Sequence, residues 1–172
     1  MKNKFKIILL YLIIFILVGC DLNNTPTSKV EELLSNYQML SEDINVDEKI
    51  LFLTNGDVLT EKQKIDYKGI VTKQYKSLSY NVKDETVDGD NAIVEVQIEV
   101  MNYKDAIDGY SMNVDKNTTY LEQYHKDRIE AIKGVKDKST YTIEFFVVKD
   151  DDGKWKLDNL SSVDEQKLLG IY

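Results

Sequence analysis

The sequence is poor in the residues that build cross-links, metal sites and catalytic centres. Its 172 residues contain one cysteine, one histidine and one proline. A single cysteine excludes an internal disulfide, and one cysteine with one histidine falls short of the several ligands of a transition-metal site. There is also no Gly-x-Ser-x-Gly nucleophile elbow and no glycine-rich phosphate loop. The sequence therefore predicts no cofactor and no metal, and it singles out no catalytic residue.

Acidic residues outnumber basic ones. The chain has 22 Lys and Arg residues against 30 Asp and Glu, which gives a formal net charge of −8 at pH 7. Three lysines and no acids lie in the first 19 residues, so the rest of the chain carries −11. A surface of this sign repels nucleic acid and anionic lipid headgroups. Nucleic acid is therefore excluded as a partner, whereas a cationic peptide would suit the charge.

The N-terminus has the layout of an export signal. Three lysines within the first six residues precede the uncharged run Ile7–Val18. This run is shorter than the roughly 20 apolar residues that a membrane-spanning helix needs. Gly19 and Cys20, the single cysteine, follow it directly. The order of these features predicts that residues 1–19 are removed during export.

The stretch Leu17-Val18-Gly19-Cys20 resembles the lipobox of bacterial lipoproteins. The resemblance implies cleavage after Gly19 and a diacylglyceryl group on the sulfur of Cys20, which becomes the mature N-terminus. Two acyl chains hold a protein stably on a membrane, whereas one does so only marginally. The expected location is the extracytoplasmic face of the cell membrane. The alternatives are an ordinary secretory signal and a membrane helix that ends in a cysteine. The frequent Lys, Asn and Ile indicate an AT-rich genome, such as that of a Gram-positive bacterium.

Three amphipathic helices are predicted in the first half of the chain. Each begins with a capping-box pattern, in which a polar cap is followed three residues later by Glu or Gln. The three pairs are Ser28 with Glu31, Asn45 with Glu48, and Thr60 with Gln63. In the third helix, the residues expected in the core are Ile65, Val71, Tyr75 and Leu78, with Tyr67 and Ile70 at the margins.

Alternating apolar residues then predict two β-hairpins. The first turns at Asp88–Asn91 and continues into a strand with Ala92, Val94, Val96, Ile98 and Val100 on its buried face and Glu95, Gln97 and Glu99 on its wet face. The second turns at Asp150–Gly153, between a strand through Tyr141, Ile143, Phe145 and Val147 and one through Trp155 and Leu157. A helix with Tyr120, Leu121, Tyr124, Ile129 and Ile132 inside separates the hairpins, and Ser162–Leu169 forms a last short helix.

This order of elements predicts an α+β domain with N-terminal helices packed on a curved antiparallel sheet of about four strands. Asp88–Val96 and Asp150–Leu157 resemble parts of the cone-shaped nuclear-transport-factor-2-like or cystatin-like fold. That resemblance implies a pocket between the sheet and the helices. The domain prediction is a lipidated linker over residues 20–27 and a single extracytoplasmic domain over residues 28–172.

Few residues qualify as candidates for a functional site. Tyr103, Tyr110 and Met112 flank a polar connection and are predicted as a binding surface, with coverage of the sheet edge as the alternative. His125 lies three residues after Glu122, as metal ligands on a helix do, but a solvated helix face is the favoured interpretation. The acidic turn at Asp150 lacks the spacing of a calcium-binding EF-hand loop.

The favoured function is a membrane-anchored, non-enzymatic binding module whose ligand is a peptide, an envelope component or another membrane protein. Two alternatives stay open at this stage. One is a small extracytoplasmic enzyme that uses the pocket of the cone-shaped fold. The other is a protective, immunity-type lipoprotein that sequesters a toxic cationic peptide.

Overall fold

The computed structural model describes residues 24–109 and 118–172, which form six helices and four strands. The helices are α1 (Pro26–Met39), α2 (Val46–Thr54), α3 (Glu61–Ser77), α4 (Lys104–Asp108), α5 (Thr118–Gly134) and α6 (Ser162–Leu169). The strands are β1 (Ser79–Asp88), β2 (Asn91–Met101), β3 (Lys138–Lys149) and β4 (Trp155–Leu157). The predicted α+β class is confirmed. None of the helices in the described ranges is long and apolar enough to cross a membrane.

The four strands form one antiparallel sheet in the order β1-β2-β3-β4. Each predicted hairpin is present, and β2 pairs with β3 to join the two hairpins. Both hairpin turns contain a glycine with positive φ, Gly89 at 61° and Gly153 at 76°. Glycine adopts this conformation without the steric cost that a side chain brings. The prediction of two hairpins in a single sheet is therefore correct.

One face of the sheet is packed under the helices. Val94, Val96, Ile98 and Val100 of β2 are all 0% exposed, and Ala92 is buried as well. Helices α1, α3 and α6 contact this strand. The predicted faces of β2 are confirmed, but the pocket expected beside them is not found at this strand, because its five inward residues are closed into the core.

Helix α3 buries Val71, Tyr75 and Leu78 as predicted, but the prediction is wrong for Ile65. Ile65, which was expected in the core, is 71% exposed, whereas Tyr67 is 0% exposed and Ile70 is 3% exposed. The buried stripe starts at Gln63 and repeats every three or four residues through Tyr67, Val71 and Tyr75 to the end of the helix. Ile65 lies two residues before Tyr67, which places it on the opposite side of the helix.

Helix α1 begins three residues earlier than the sequence predicts. Its N-cap is Thr25, not Ser28, and Pro26 occupies the first turn, where a missing N–H costs nothing. Thr25 and Ser28 close a capping box, in which each side chain bonds to the other residue's backbone N–H. Ser28 is therefore the third helical residue of the box, and the predicted pairing with Glu31 is wrong. For α2 and α3, the predicted caps Asn45 and Thr60 are confirmed.

The segment before α1 belongs to the folded domain and not to a free linker. The backbone N–H of Trp155 in β4 donates to Oδ1 of Asn24 at 2.9 Å. Oε2 of Glu85 in β1 accepts from the backbone N–H of Thr27 at 3.0 Å and from its hydroxyl at 2.6 Å. A carboxylate at a helix N-terminus is favourable because it faces the positive end of the helix dipole. Residues 24–27, which the sequence assigns to the linker, are therefore part of the folded domain.

The C-terminal helix α6 is fixed to the core by hydrogen bonds around Gln74. The amide of Gln74 is fully buried and donates to the carbonyl oxygens of Met101 and Leu168, while its oxygen accepts from the N–H of Met101. The carbonyl of Gly170, just after α6, accepts from the N–H of Tyr103 at 2.7 Å. These bonds join α3, the end of β2 and α6, so α6 is an integral part of the domain.

Candidate functional site

The residues predicted for lipidation and binding lie mostly outside the described ranges. Gly19, Cys20, Tyr110 and Met112 all fall in residues 1–23 or 110–117. Tyr103 is described and is only 1% exposed, and burial raises the pKa of its phenol to about 12. Its ring is therefore part of the hydrophobic core. The prediction that Tyr103 belongs to an exposed binding surface is wrong for this residue.

A different surface is formed by the outer face of the sheet, which is the face opposite the buried residues of β2. Apart from Met101 at the end of β2, its side chains are exposed or half-buried along β1, β2 and β3, since the helices pack on the other side. The strand register places these side chains in rows that run across the three strands. Two adjacent rows have a composition that the sequence alone did not reveal.

The first of these is the acidic row, which consists of Asp84, Glu95 and Glu144. Asp84 of β1 lies directly opposite Glu95 of β2, and Glu95 lies directly opposite Glu144 of β3. Side chains directly opposite each other have Cβ atoms about 5 Å apart, and like charges in such pairs are destabilising. None of the three carboxylates forms an ion pair with another described residue. The acidic row is therefore a concentration of negative charge that the described part of the protein does not neutralise.

A β-bulge places Asp84 in the acidic row. The pairing of β1 with β2 shifts between Val82 and Asp84, so Lys83 is the extra residue. A bulge changes which face the following residues occupy. The ammonium of Lys83 donates to the side-chain oxygen of Asn81 at 2.9 Å. It forms no ion pair with a described carboxylate of the acidic row. The bulge thus aligns Asp84 with Glu95.

The second row contains Ile93 and Phe146. Together with Val148 they form the apolar patch. Ile93 of β2 lies directly opposite Phe146 of β3, and Val148 is two residues further along β3 on the same face. These side chains are 37%, 53% and 36% exposed. Exposed large apolar side chains grouped beside polar residues are typical of interaction surfaces. The acidic row and the apolar patch therefore lie side by side on the outer face.

On the other side of the acidic row, the outer face carries charges that are paired. Glu99 of β2 binds Lys138 of β3 at 2.7 Å, and the hydrogen bond and charge of Lys138 lower the pKa of the Glu99 carboxyl. A shallow depression of about 220 Å³ lies here, lined by residues of all three strands such as Asn81 and Thr140. The outer face therefore has a paired acid at Glu99, whereas the acids of the acidic row have no ion-pair partner among the described residues.

Strand β1 is the edge of the sheet on this side. It runs from Ser79 to Asp88 and pairs only with β2. Proteins protect such edges with charges and bulges against unwanted pairing with other chains. Asp84 and the bulge at Lys83 both lie in this strand, so they also guard the edge.

His125 lies in a buried cluster and not on the solvated helix face that the sequence predicts. It is 0% exposed, and its Nδ1 is 2.9 Å from the hydroxyl of Tyr67, which is also 0% exposed. Its Nε2 is 3.4 Å from Oδ2 of Asp57, in the loop after α2. The ring of Tyr124 contacts the imidazole edge-on. The cluster thus connects α3, α5 and this loop inside the core.

Arg128 is the other buried basic residue of α5. It is 4% exposed, and its guanidinium donates to the carbonyl oxygen of Leu53 at 2.8 Å. Leu53 lies in the last turn of α2, where carbonyl groups have no partner within the helix. Burial raises the pKa of Tyr67 to about 12, and the nearby charge of Arg128 opposes that shift. Arg128 therefore caps α2 and also acts on the buried cluster.

The buried cluster has the residue types of an acid–base site but not the access. A general base must reach within hydrogen-bonding distance of the proton it abstracts from a substrate. Tyr67 and His125 are both sealed from solvent, and only the Asp57 side chain is partly exposed, at 15%. Glu122, which lies three residues before His125 on α5, is exposed to solvent. The geometry is that of a core hydrogen-bond network.

The acidic turn between β3 and β4 uses its first aspartate to hold the turn. Oδ1 of Asp150 accepts from the backbone N–H of Asp152 at 3.0 Å and of Lys154 at 2.9 Å. An aspartate that bonds the backbone two residues ahead is a common turn former. In the described part of the chain, no group of three or more His, Cys, Asp or Glu residues is placed to hold a metal ion.

Comparisons with known proteins give little to add to this geometry. No family model matches the chain, and no curated protein matches it. A similar solved structure is that of a candidate lipoprotein from Bacillus subtilis, with 20% sequence identity and a TM-score of 0.42. The match covers 87% of this chain and 49% of that protein, so this chain spans about half of its length. A likeness at this level carries no argument about fold or function.

The sequence did not reveal the acidic row, although it placed one of its members, Glu95, near the surface. Glu95 was correctly predicted on the wet face of β2, and Glu144 alternates with the buried Ile143 and Phe145 of β3. The alternation reveals which residues face outward but not which residues of different strands become neighbours. That information depends on the register between β2 and β3, which are separated by α4 and α5 in sequence.

Proposed function

We propose that the protein is an extracytoplasmic lipoprotein, anchored in the cell membrane through Cys20, that binds a partner on the outer face of its sheet. The single observation that supports the binding role is the pair of adjacent rows, the acidic row beside the apolar patch, left uncovered by the described helices. The anchor rests on the order of basic head, apolar run, Gly19 and Cys20 in the sequence. The nuclear-transport-factor-2-like or cystatin-like cone remains part of this proposal.

We propose a binding role over an enzymatic one because of where the reactive side chains lie. The cluster of histidine, tyrosine and aspartate around His125 is closed to substrate. The acidic row lies beside apolar side chains on the outer face of the sheet, where its residues are exposed or half-buried. Binding sites for reacting small molecules are usually concave and enclose most of the ligand. The outer face suits contact with a macromolecule.

The anchor is tested by intact-mass analysis of the protein purified from the membranes of its native host. We expect a chain that begins at Cys20 and carries a diacylglyceryl group, with or without a further acyl chain. A Cys20→Ala variant serves as the control and should keep the unprocessed N-terminus. An unmodified mature chain that begins at another residue would contradict the anchor.

The binding face is tested by chemical labelling of carboxylates in intact membranes. The label should modify Asp84, Glu95 and Glu144 less in native membranes than in the purified protein in lipid nanodiscs, because a bound partner shields them. Three exposed acids on the helical side serve as the internal control and should be labelled equally in both samples: Glu42, Asp43 and Glu130. Equal labelling of the acidic row in the two samples would contradict the proposed binding face.

A further inference from the structure

We infer that the partner of the outer face is a cationic amphipathic helix that lies across the strands. This inference rests on the proposed function and identifies the class of its ligand. The acidic row supplies three carboxylates without a counter-ion from the described residues, and the apolar patch adjoins it. A ligand that satisfies both rows must carry positive charge on one side and apolar side chains on the next.

The dimensions of the two rows fit a helix. The acidic row crosses three strands about 4.8 Å apart, so its ends are about 10 Å apart. Lysines at positions i, i+4 and i+7 of a helix span about 10.5 Å at 1.5 Å per residue, which matches the three carboxylates. The acidic row and Ile93 are two residues apart along β2, or about 7 Å, which is less than the 10–12 Å diameter of a helix. One helix can therefore contact both rows.

The charge of the protein favours the same partner. The chain carries −8 overall and −11 without residues 1–19, so a cationic segment is attracted from a distance. An anionic partner or an anionic membrane surface would meet the acidic row with like charge. A purely apolar partner would leave the three carboxylates partly desolvated without compensation, which costs free energy. Among helical ligands, one that is both cationic and amphipathic is therefore the best match.

The test uses the mature lipidated protein in nanodiscs of zwitterionic lipid, with empty nanodiscs as the reference. The probe is a fluorescent model helix composed of leucine and lysine only, with the lysines on one side. A peptide of the same composition in scrambled order, in which the two residue types no longer segregate, is the control probe. We expect the model helix to bind and the scrambled peptide to bind at least about tenfold more weakly, because it cannot present both faces at once.

Matched variants identify the surface that is used. The triple variant Asp84→Asn, Glu95→Gln and Glu144→Gln should weaken binding about tenfold. Each exposed ion pair that it removes contributes up to about fivefold to the binding constant. The control variant carries Glu42→Gln, Asp43→Asn and Glu130→Gln, which gives the same net charge, and it should change binding less than threefold, or by about 0.6 kcal/mol or less. Phe146→Ser should also weaken binding, and thermal melts of each variant confirm that it is folded.

Three results would overturn the inference. They are equal weakening in the two triple variants, equal binding of the scrambled peptide, and no binding of the model helix to the wild-type protein. Binding should also fall as salt rises from about 0.1 M to 1 M, because the screening length shortens from about 10 Å to 3 Å. If the acidic row is shielded in native membranes but the model helix does not bind, the proposed face stands and only the cationic helix is wrong.

Discussion

The hydroxyl of Tyr67 lies 2.9 Å from Nδ1 of His125, and both side chains are completely buried. The bond joins α3 to α5 through the core. Buried polar groups in folded proteins almost always have a partner, because desolvation without one is costly. The hydroxyl of Tyr67 therefore gives the imidazole of His125 a hydrogen-bond partner, which offsets the cost of burying it.

Tyr67→Phe tests the contribution of this bond. The substitution keeps the ring and removes only the hydroxyl, so we expect the free energy of unfolding to fall by about 1–3 kcal/mol. Urea denaturation followed by circular dichroism measures it. Tyr172→Phe is the control, because Tyr172 is 47% exposed and its loss of a hydroxyl should cost less than about 0.5 kcal/mol. Equal effects of the two substitutions would show that the bond contributes nothing.

The burial of His125 also explains why the sequence misplaced a face of α5. The apolar residues named for this helix differ in their burial, since Ile129 and Ile132 are buried whereas Tyr120 is 45% exposed. The observed stripe passes through His125, Arg128, Ile129 and Ile132, at the helical spacing i, i+3, i+4 and i+7. Two members of this stripe are polar, and a pattern that assigns polar residues to the surface therefore places His125 and Arg128 outside the core.

The strands were easier to predict because their buried faces are uniformly apolar. The alternation in β2 needs no tertiary information, and the glycine-containing turn after Asp88 fixes where β1 and β2 begin to pair. The bulge at Lys83 has no comparable local signal, and it changes which residues of β1 face outward. The acidic row depends on this bulge and on a long-range register, so it could be recognised only in the folded structure.

Gly170 provides a second test of the core, at the junction of α6 with β2. Its φ is +69°, and a Cβ at this position would lie 1.9 Å from the carbonyl oxygen of Met101 and 2.5 Å from the amide nitrogen of Gln74. Backbone atoms cannot move aside cheaply, so we expect Gly170→Ala to destabilise the domain by at least about 3 kcal/mol. Thermal unfolding measures the effect.

The matched control for this substitution is Gly153→Ala. Gly153 has a similar φ of +76°, but a Cβ there meets no atom within 4 Å. Only the conformational cost of a left-handed residue applies, which is about 1–2 kcal/mol. If the two variants melt at the same temperature, the close approach of Gly170 to Met101 is not a feature of the folded protein.

High pH should unfold the domain through its buried tyrosines. Burial raises the pKa of Tyr67 and of Tyr103 to about 12 from the ordinary value of about 10, and it raises those of Tyr37 and Tyr75 further. Below pH 10 the phenols are protonated in both states, so this stabilisation is fully present. Between about pH 10 and pH 12 the unfolded chain loses these protons while the folded chain keeps them, so stability falls.

The expected loss over this window is about 2–3 kcal/mol for each of Tyr67 and Tyr103. Urea titrations at a series of alkaline pH values measure it. Tyr103→Phe removes one titrating group from the core and should make the dependence on pH less steep. A free energy of unfolding that stays constant between about pH 10 and pH 12 would contradict the burial of these phenols.

Two neighbouring residues of β2 test the sheet and the acidic row together. Val96 is 0% exposed on the inner face, so Val96→Asp places a charge without a partner among apolar side chains. A buried charge costs several kcal/mol even after the structure relaxes, which is comparable to the whole stability of a small domain. We expect this variant to lose its cooperative thermal transition.

Glu95→Lys, one residue away, should have the opposite effect. Glu95 stands between Asp84 and Glu144, so a lysine there replaces two like-charge pairs by two opposite-charge pairs. Cross-strand charge pairs contribute about 0.2–1 kcal/mol each, and we therefore expect the variant to be as stable as the wild type or more stable by up to about 2 kcal/mol. Added salt should reduce the gain, because it screens exposed charges.

A slip of β2 by one residue would exchange the faces of both positions. If Glu95→Lys unfolds the domain while Val96→Asp leaves it intact, the register is wrong, and the acidic row would not exist.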